Sequence, residues 1–565
     1  MDIKFKPKFE HRPNVGKSLK IIPLGGVGDV TKNMYVYEYG NDIIIVDCGI
    51  GFPDEAMLGI DLVIPDVTYL QDKLNKIRGI VISHGHDDHI GGLPYLWPRL
   101  KAPIYAQKLT AGFIGAKFAE HRLPKNAIHT VNIDTELQLG AFRVSFYRVS
   151  HSVPDATGLV IETPVGRIVH QSDFKLDWTP IIGQPPDVGT VATVGKKGVL
   201  LMLIDALRSE KPGYNPSERT IQPTFERIES ETRGKVIITT ASSNISRIQQ
   251  AINVAVEAGR RVALIGRSME QNFQVARDLG YLQVPSGVII APDEIKRFPD
   301  AKLLLIIAGS QGQPTSALSR AANNDHRFVT IKKDDAVVFS ADPIPSSESA
   351  QNALIDKIAK FGANVYYTAV NDALHVGGHA ASEEIKVMIN LVRPKYLMPI
   401  GATFKGMRAF SKMAEELGYG DDKVLLVEDG RVVEVTPSKA AVNGRVEAKN
   451  VYVDGLGIGD VGNVVLRDRK VLAEEGIVLV VVPVDAQTSK VAGEPDIISR
   501  GFVFEKGAEE LLGRAKRVVE QSLNEHPESA LDWRFARRHI EESLEDFFYR
   551  ETQRHPMILP VVVEV

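Results

Sequence analysis

Short apolar runs separated by turn-forming glycine, proline, asparagine and aspartate set the rhythm of the first third of the chain. The runs Ile21–Pro23, Met34–Glu38, Ile43–Asp47, Gly79–Ser83, Arg143–Val149, Gly158–Glu162, Gly166–Gln171 and Val199–Ile204 read as strands of a sheet-rich α/β layer domain. From Asp205 to about Asn364 the pattern changes. Glu218–Glu231, Ile245–Ala258 and Met269–Leu279 carry apolar residues at helical spacing, interleaved with short strands at Lys235–Thr239, Arg261–Ile265, Lys302–Ile307 and Ala336–Ser340. That alternation predicts a second α/β domain with a parallel sheet. Histidine-rich sequence resumes only after it, at His375, so the second domain reads as an insertion into the first. After Val435 the composition shifts again, and Pro437–Gly444 reads as a connector. The remainder predicts strands at Val464–Val471 and Gly476–Val482, helices at Gly507–Ser522 and Arg534–Phe547, and a last strand near Ile558–Val565. The expected organisation is a first domain in two parts (1–206 and 367–436), an inserted cap (207–366), a linker (437–450) and a small α/β C-terminal domain (451–565).

A chain of 565 residues has the length for two or three cores. Its 44% hydrophobic and 24% charged residues are ordinary for a soluble globular protein. No apolar window suggests a membrane span, and Met1–Arg12 lacks the apolar centre of a secretory signal. The single cysteine, Cys48, excludes an internal disulfide framework, reads as a small buried hydrophobe beside Asp47, and fits a cytoplasmic location. Lys and Arg number 67 against 71 Asp and Glu, a net charge of −4, so no basic tail binds nucleic acid indiscriminately. A nucleic-acid partner needs a local basic groove, helped by bound cations.

The densest chemistry lies in Ser83–Gly92, which reads S-H-G-H-D-D-H-I-G-G and crowds His84, His86, Asp87, Asp88 and His89 behind an apolar strand. In an extended stretch His84 and His86 point to one side, and a following turn brings Asp88 and His89 to the same spot. Imidazole and carboxylate suit zinc, and also manganese or iron. Gly25-Gly-Val-Gly28 reads as a tight turn near this site. Gly457-Ile-Gly-Asp-Val-Gly462 fits G-x-G-x-x-G, but with strand-like Val464–Arg467 following it reads as a turn rather than a phosphate cradle. Arg514–Arg517 and Arg537–Arg538 read as solvated helix faces.

The H-x-H-x-D-H spacing resembles the metallo-β-lactamase superfamily. The whole chain resembles its β-CASP branch, and within that the bacterial ribonuclease J family, through Asn33-Met-Tyr35, Phe52-Pro-Asp-Glu55, Gly266-Arg-Ser-Met-Glu270, Gly309-Ser-Gln-Gly312, His375-Val-Gly-Gly-His379 and Arg554–Pro560. The resemblance implies an α/β fold: a metallo-β-lactamase αββα sandwich with an inserted α/β β-CASP cap and a small α/β C-terminal domain. It implies that His84, His86, His151 and Asp173 close one metal site, that Asp88, His89 and a bridging Asp173 begin a second, and that Asp47 supports the ligands from behind. One or two zinc ions per chain, or manganese, would bind there. Asp88, Asp205 and His379 would be catalytic, His379 contacting the scissile phosphate and protonating the leaving oxygen. Ser243, Asn244, Arg267, Ser268 and Gln311 in cap loops, and His375, Val376, Gly377, Gly378 and His379 in the returning loop, would contact RNA. The implied activity is 5′ to 3′ exonuclease on 5′-monophosphorylated RNA, with internal cutting, in RNA maturation and decay. The implied assembly is a homodimer, a homotetramer or a hetero-oligomer with a paralogous chain.

The chain departs from the family where a last motif, roughly Pro-Val-His-Gly-Glu-Tyr-Arg, supplies the remaining ligand of the second metal. Here the run is Met398-Pro-Ile-Gly-Ala-Thr-Phe-Lys405, so Gly401 stands at the ligand position. Asp205-Ala-Leu-Arg208 stands where the family reads Asp-Ser-Thr-Asn, Ala241 where an aromatic is common, and Gly377 where a serine or similar polar residue is found. Three readings stand at this point: an active ribonuclease with an altered second site, a weakened or inactive paralogue acting as an RNA-binding or assembly subunit, and a hydrolase of a small ester or thioester. The inserted cap favours a nucleic-acid substrate over the last.

Overall fold

Strands built from Ile, Val, Leu and Tyr form where expected and stack into two facing sheets. The computed structural model describes residues 18–344, 347–485, 491–502, 505–525 and 533–565, so Met1–Arg12 lies outside the described residues. It divides into two compact units, Met1–Phe52 with Leu62–Val451, and Pro53–Asp61 with Tyr452–Val565.

In the first unit, one sheet has the order Ala440–Arg445, Arg431–Val435, Leu19–Gly25, Met34–Tyr39, Asp42–Val46, Ile77–Val81, Ile104–Ala106, Ile128–Thr130. The other has Tyr396–Ile400, Leu201–Asp205, Gly166–Gln171, Thr157–Thr163, Phe142–Arg148, Glu136–Leu139. Period-two alternation sends Tyr35, Tyr37, Ile44 and Val46 of the first into one core with Phe142, Val144, Leu159, Ile161 and Leu203 of the second. Helices Ser382–Val392 and Phe404–Glu416 add Ile385, Met388, Met407 and Phe410 to the same core. Burying each such side chain stabilises the sandwich by about 1.5–3 kcal/mol. The segment expected as a linker is corrected here: Ala440–Arg445 is an edge strand, Val433 pairing with Val442 and Val435 with Ala440.

The segment between the sandwich halves forms its own five-stranded sheet, in the order Arg261–Ile265, Leu303–Ile307, Val236–Thr239, Ala336–Phe339, Asn364–Tyr366, with every pairing parallel. Nearly continuous runs such as Leu303–Ile307 are what a parallel sheet buried on both faces requires. This cap is tied to the sandwich by polar contacts. Tyr281 donates to the Asp155 carboxylate, whose other partner is the Leu109 amide, and Lys108 Nζ donates to the Leu279 carbonyl at 2.9 Å. Fully buried Arg247, at the head of helix Ile245–Glu257, donates to Glu218 at 2.7 Å and to the Ser340 hydroxyl at 2.6 Å, while Ser340 donates to the Leu374 carbonyl at 2.6 Å. Lys175 of the sandwich lies 3.6 Å from Glu218.

In the second unit Ile477–Val484 pairs antiparallel with Asp496–Arg500 and parallel with Met557–Glu564, and helices Glu505–Glu525 and Trp533–Thr552 cover the sheet with Ala515, Val519, Ile540, Leu544 and Phe548. The expected strand Val464–Val471 is corrected: Asn463–Glu475 is a helix. Its charged run Arg467-Asp-Arg-Lys470 breaks the alternation a half-buried strand needs, and Lys470 pairs with Glu474 one turn on. The glycine run before it thus leads into a helix, not a strand. It remains a hairpin return, Val453 pairing with Ile458 and the Gly459 amide donating to the Tyr452 carbonyl at 2.8 Å, with the Asp460 carboxylate beside Gly457 where an anion is unwelcome.

Arg247→Met should leave the buried Glu218 carboxylate without its main partner and lower stability by about 3–5 kcal/mol. A thermal midpoint equal to the unaltered protein's would refute this role.

Candidate metal centre

The candidate ligands meet because strands of both sheets end at one edge. Asp47 follows Asp42–Val46, His84–His89 follow Ile77–Val81, His151 follows Phe142–Arg148, Asp173 follows Gly166–Gln171, Asp205 ends Leu201–Asp205, and Gly401 follows Tyr396–Ile400. The carboxyl ends of such strands are where α/β folds bind ligands.

Asp173 is the point of convergence. Its Oδ2 lies 3.5 Å from His84 Nε2, 3.4 Å from His89 Nε2, 3.6 Å from His151 Nε2 and 3.9 Å from His379 Nε2. Three groups have ligand atoms within 4.8 Å of one another: His84, His86, His151 and Asp173; Asp88, His89 and Asp173; and Asp173, Asp205 and His379. The first two are the sets implied by the family resemblance, and the third adds the candidate catalytic pair to the shared carboxylate.

Each ring is oriented by the hydrogen bond on its other nitrogen. His151 Nδ1 donates to the Gly378 carbonyl at 2.7 Å, leaving Nε2 to face His86 Nδ1 at 3.0 Å. The Ser152 hydroxyl meets His86 Nε2 at 3.0 Å, and the Ser83 hydroxyl meets His84 Nδ1 at 2.9 Å. His89 Nδ1 donates to Asp47 Oδ2 at 2.8 Å, and Asp47 also accepts from the Ser83 amide and hydroxyl, both at 2.7 Å. Asp47 sits in the left-handed region, φ 60°, strain that aspartate tolerates and that these three bonds hold in place. His379 Nδ1 donates to Asp205 Oδ2 at 2.9 Å, aiming Nε2 at the cluster. His84 Nε2 is left fully buried with no hydrogen-bond partner, which is costly unless a cation takes its lone pair. The residues therefore fit a divalent metal.

The electrostatics agree for His86, His151 and Asp173 of the first set. Burial, with His84 adding, pushes His86 down to about 3, and burial, with His86 and His84 adding, holds His151 well below its ordinary range. Burial works against charge on Asp173, yet His89, His379 and His84 hold it well below the usual carboxylate range. Neutral imidazoles and charged carboxylates are the forms that bind metal. Burial alone would discharge His89 and His379, but the surrounding carboxylates raise both, His379 to about 9.

Gly401 has φ 64°, and its amide donates to the Gly26 carbonyl at 2.7 Å, so the Gly25–Gly28 turn does abut the site. A Cβ added at Gly401 would stand 3.6 Å from Asp205 Oδ1 and 3.9 Å from Asp173 Oδ1. A side chain there would meet no close atom on its way into the cluster, but it would strain a backbone held in the left-handed region.

The candidate RNA contacts divide. Ser243 and Asn244, Arg267 and Ser268, and Gln311 follow the carboxyl ends of three cap strands and so share one edge. Arg267 and Ser268 are exposed. Asn244 instead caps helix Ile245–Glu257, and Gln311 braces its own loop through Asp342, Ile344 and Ser347. Half-buried His375 lies 3.5 Å from Arg247 Nη1, and Val376 is buried. Gly377 and Gly378 pack against Arg208 and His151. Sequence reasoning did not single out the side chains of Ser83 and Ser152, nor that of Asn33, whose Nδ2 lies 3.2 Å from His89 Nε2. For Ser83 the signal was its place at the head of the histidine motif.

The fold and the cluster define a metallo-β-lactamase-type metallohydrolase with a β-CASP cap. Family models agree: residues 27–218 match the metallo-beta-lactamase superfamily, 233–358 the ribonuclease J beta-CASP domain and 464–565 the ribonuclease J C-terminal domain. Ribonuclease J2 of Bacillus subtilis is 38% identical over 97% of this chain and 99% of its own length, and ribonuclease J 1 of Streptococcus pyogenes is 38% identical over 96% and 97%. Ribonuclease J 2 of Staphylococcus aureus is 36% identical over 97% and 99%. A solved Enterococcus faecalis protein of unknown function shares the fold at 16% identity, with a TM-score of 0.52 over 74% of this chain and all of that one. The chain belongs to the ribonuclease J family.

Burial, reinforced by Arg247, pushes His375 down to about 3 from its ordinary 6.5. Between those values the unfolded chain binds the extra proton, so this contribution is full above about pH 6.5 and declines as pH falls toward 3. His375→Asn should lose less melting temperature between pH 7 and pH 5 than the unaltered protein; equal losses would contradict the assignment.

Proposed function

We propose that this chain is a metal-dependent ribonuclease that removes nucleotides in the 5′ to 3′ direction from RNA carrying a 5′-monophosphate, and also cuts internally, in RNA maturation and decay. The observation that carries the reading is the quartet His84, His86, His151 and Asp173, with its unpartnered His84 nitrogen, in a chain aligned almost end to end with proteins named ribonuclease J. Family membership makes the small-ester reading unnecessary.

His84, His86, His151 and Asp173 would hold one ion, and Asp88, His89 and Asp173 a second, with zinc the proposed metal and manganese the alternative. Bound metal lowers the pKa of water to about 7 and neutralises charge on a phosphodiester in its transition state. Asp47 and the Ser83 hydroxyl keep His89 and His84 turned toward the ions. Asp205 holds His379 so that Nε2 faces the scissile phosphate and delivers a proton to the leaving oxygen. Ser243, Asn244, Arg267, Ser268 and Gln311 border the RNA path along the cap edge, and the His375–His379 loop closes it beside the cluster. Assembly as a homodimer, a homotetramer or with a paralogous chain is supported by exposed Leu456, Val464, Val465 and Leu472 in the second unit. A cytoplasmic location is proposed from the lone buried cysteine, and among the described residues no helix is long and apolar enough to cross a membrane.

Protein loaded with zinc or manganese should release mononucleotides from 5′-monophosphorylated RNA faster than from a matched 5′-triphosphate. His86→Ala should abolish hydrolysis and lower metal content; full activity in that variant would sink the catalytic assignment. Gly401→His should tighten binding of a second ion by about tenfold or more, seen as a rise in bound metal per chain. Unchanged stoichiometry and rate would show that the fourth ligand position is not what limits the second site.

A further inference from the structure

Among the described residues Arg208, beside the cluster, forms no ion pair. Arg208 lies in the turn after Leu201–Asp205, where the Leu207 amide donates to Asp205 Oδ1 at 2.9 Å and the Lys211 amide to the Arg208 carbonyl at 2.9 Å. Three residues from Asp205, it projects a half-buried guanidinium onto the loop that carries His379. The contact is intimate: a Cβ added at Gly377 would stand 1.6 Å from Arg208 Nη1 and 2.7 Å from Cζ. The guanidinium therefore occupies the volume that any side chain at position 377 would need. The next residue, Gly378, accepts from His151 Nδ1, and the second next is His379.

The nearby acceptors are committed or unengaged. Asp205 is bonded to Leu207 and His379, and Glu384 to Leu176, Asn215 and Ala381. Asp342 faces His375 at 3.8 Å. Asn215 Oδ1, 3.2 Å from the same added Cβ, is buried without a hydrogen bond, so the guanidinium is not tied to it. Lys211 is a second cation close by without an ion pair; burial and then Arg208 lower its pKa, partly offset by Asp342, Glu384 and Asp372. An always-charged, partly desolvated fork with no carboxylate is a site for a phosphate.

We propose that Arg208 is a substrate-contacting residue that grips an RNA backbone phosphate beside the metal cluster, and that position 377 is glycine because the guanidinium needs its space. The inference rests on the ribonuclease reading. It places a permanent charge on the substrate beside the loop that carries His379, in a centre whose second ion has only Asp88, His89 and Asp173 to hold it.

The test is a double-mutant cycle on metal-loaded full-length protein with 5′-monophosphorylated RNA. Arg208→Ala should lower kcat/KM by about tenfold or more and reduce the slope of log affinity against log salt by about one, with metal content and melting temperature unchanged. Arg208→Lys should recover only part, because an ammonium lacks the fork. Gly377→Ala should displace the guanidinium and cause a similar loss, and the double variant should lose no more than either single one. Wild-type kinetics and salt slope in Arg208→Ala, or losses that multiply in the double variant, would overturn the proposal. If the unaltered protein cleaves no RNA, the ribonuclease reading fails separately. RNA affinity then decides on Arg208: weaker binding by Arg208→Ala supports the contact, and equal binding refutes it.

Discussion

One carboxylate organises the centre of this molecule. Asp173 Oδ2 is within 4 Å of ring nitrogens from four different histidines, a concentration of ionisable groups that water cannot reach well enough to stabilise. Such an arrangement persists only because every ring is fixed from behind. Asp47, Ser83, Ser152, the Gly378 carbonyl and Asp205 each hold one nitrogen so that the other points inward. The left-handed backbone at Asp47 shows the sandwich spending local strain on that orientation.

The cap is coupled to this centre through a second buried charge system. Arg247 joins cap helix Ile245–Glu257 to Glu218, to the end of strand Ala336–Phe339 and, through Ser340, to the backbone just before His375. The loop that returns the chain to the sandwich is thus fixed from the cap side by Arg247 and from the metal side by His151. Gly377 lies between those anchors and Gly378 supplies the carbonyl that His151 holds. Side-chain volume at Gly377 and Gly378 would be taken from Arg208 and His151.

Much of this was legible in the chain. Apolar runs such as Ile43–Val46 and Leu303–Ile307 have one physical use, a buried strand, and the H-x-H-x-D-H cluster has no inexpensive use without a metal. What was not legible depended on tertiary context. Val464, Val465 and Leu466 look like a strand, but exposure and the charges that follow make a helix. Asp496–Arg500 and Ala440–Arg445 are short edge strands whose pairing partners, Ile477–Val484 and Arg431–Val435, decide their state. Asn244 and Gln311 carry groups that suit RNA, yet their hydrogen bonds are spent on a helix cap and a loop brace. Arg208 and Gly377 are separate oddities in sequence, and only their contact gives them a shared explanation.

The insertion of the cap between two strands of one sheet has a consequence for how the chain is made. Leu201–Asp205 has Gly166–Gln171 on one side and Tyr396–Ile400 on the other, and Leu19–Gly25 likewise has Met34–Tyr39 and Arg431–Val435. While a ribosome is still synthesising the cap, the second partner of each strand does not yet exist. The nascent sandwich then carries two open, apolar β edges, which invite pairing with other chains. Arrival of the last third of the polypeptide closes both edges, so a chain released early is a candidate for aggregation rather than a smaller enzyme.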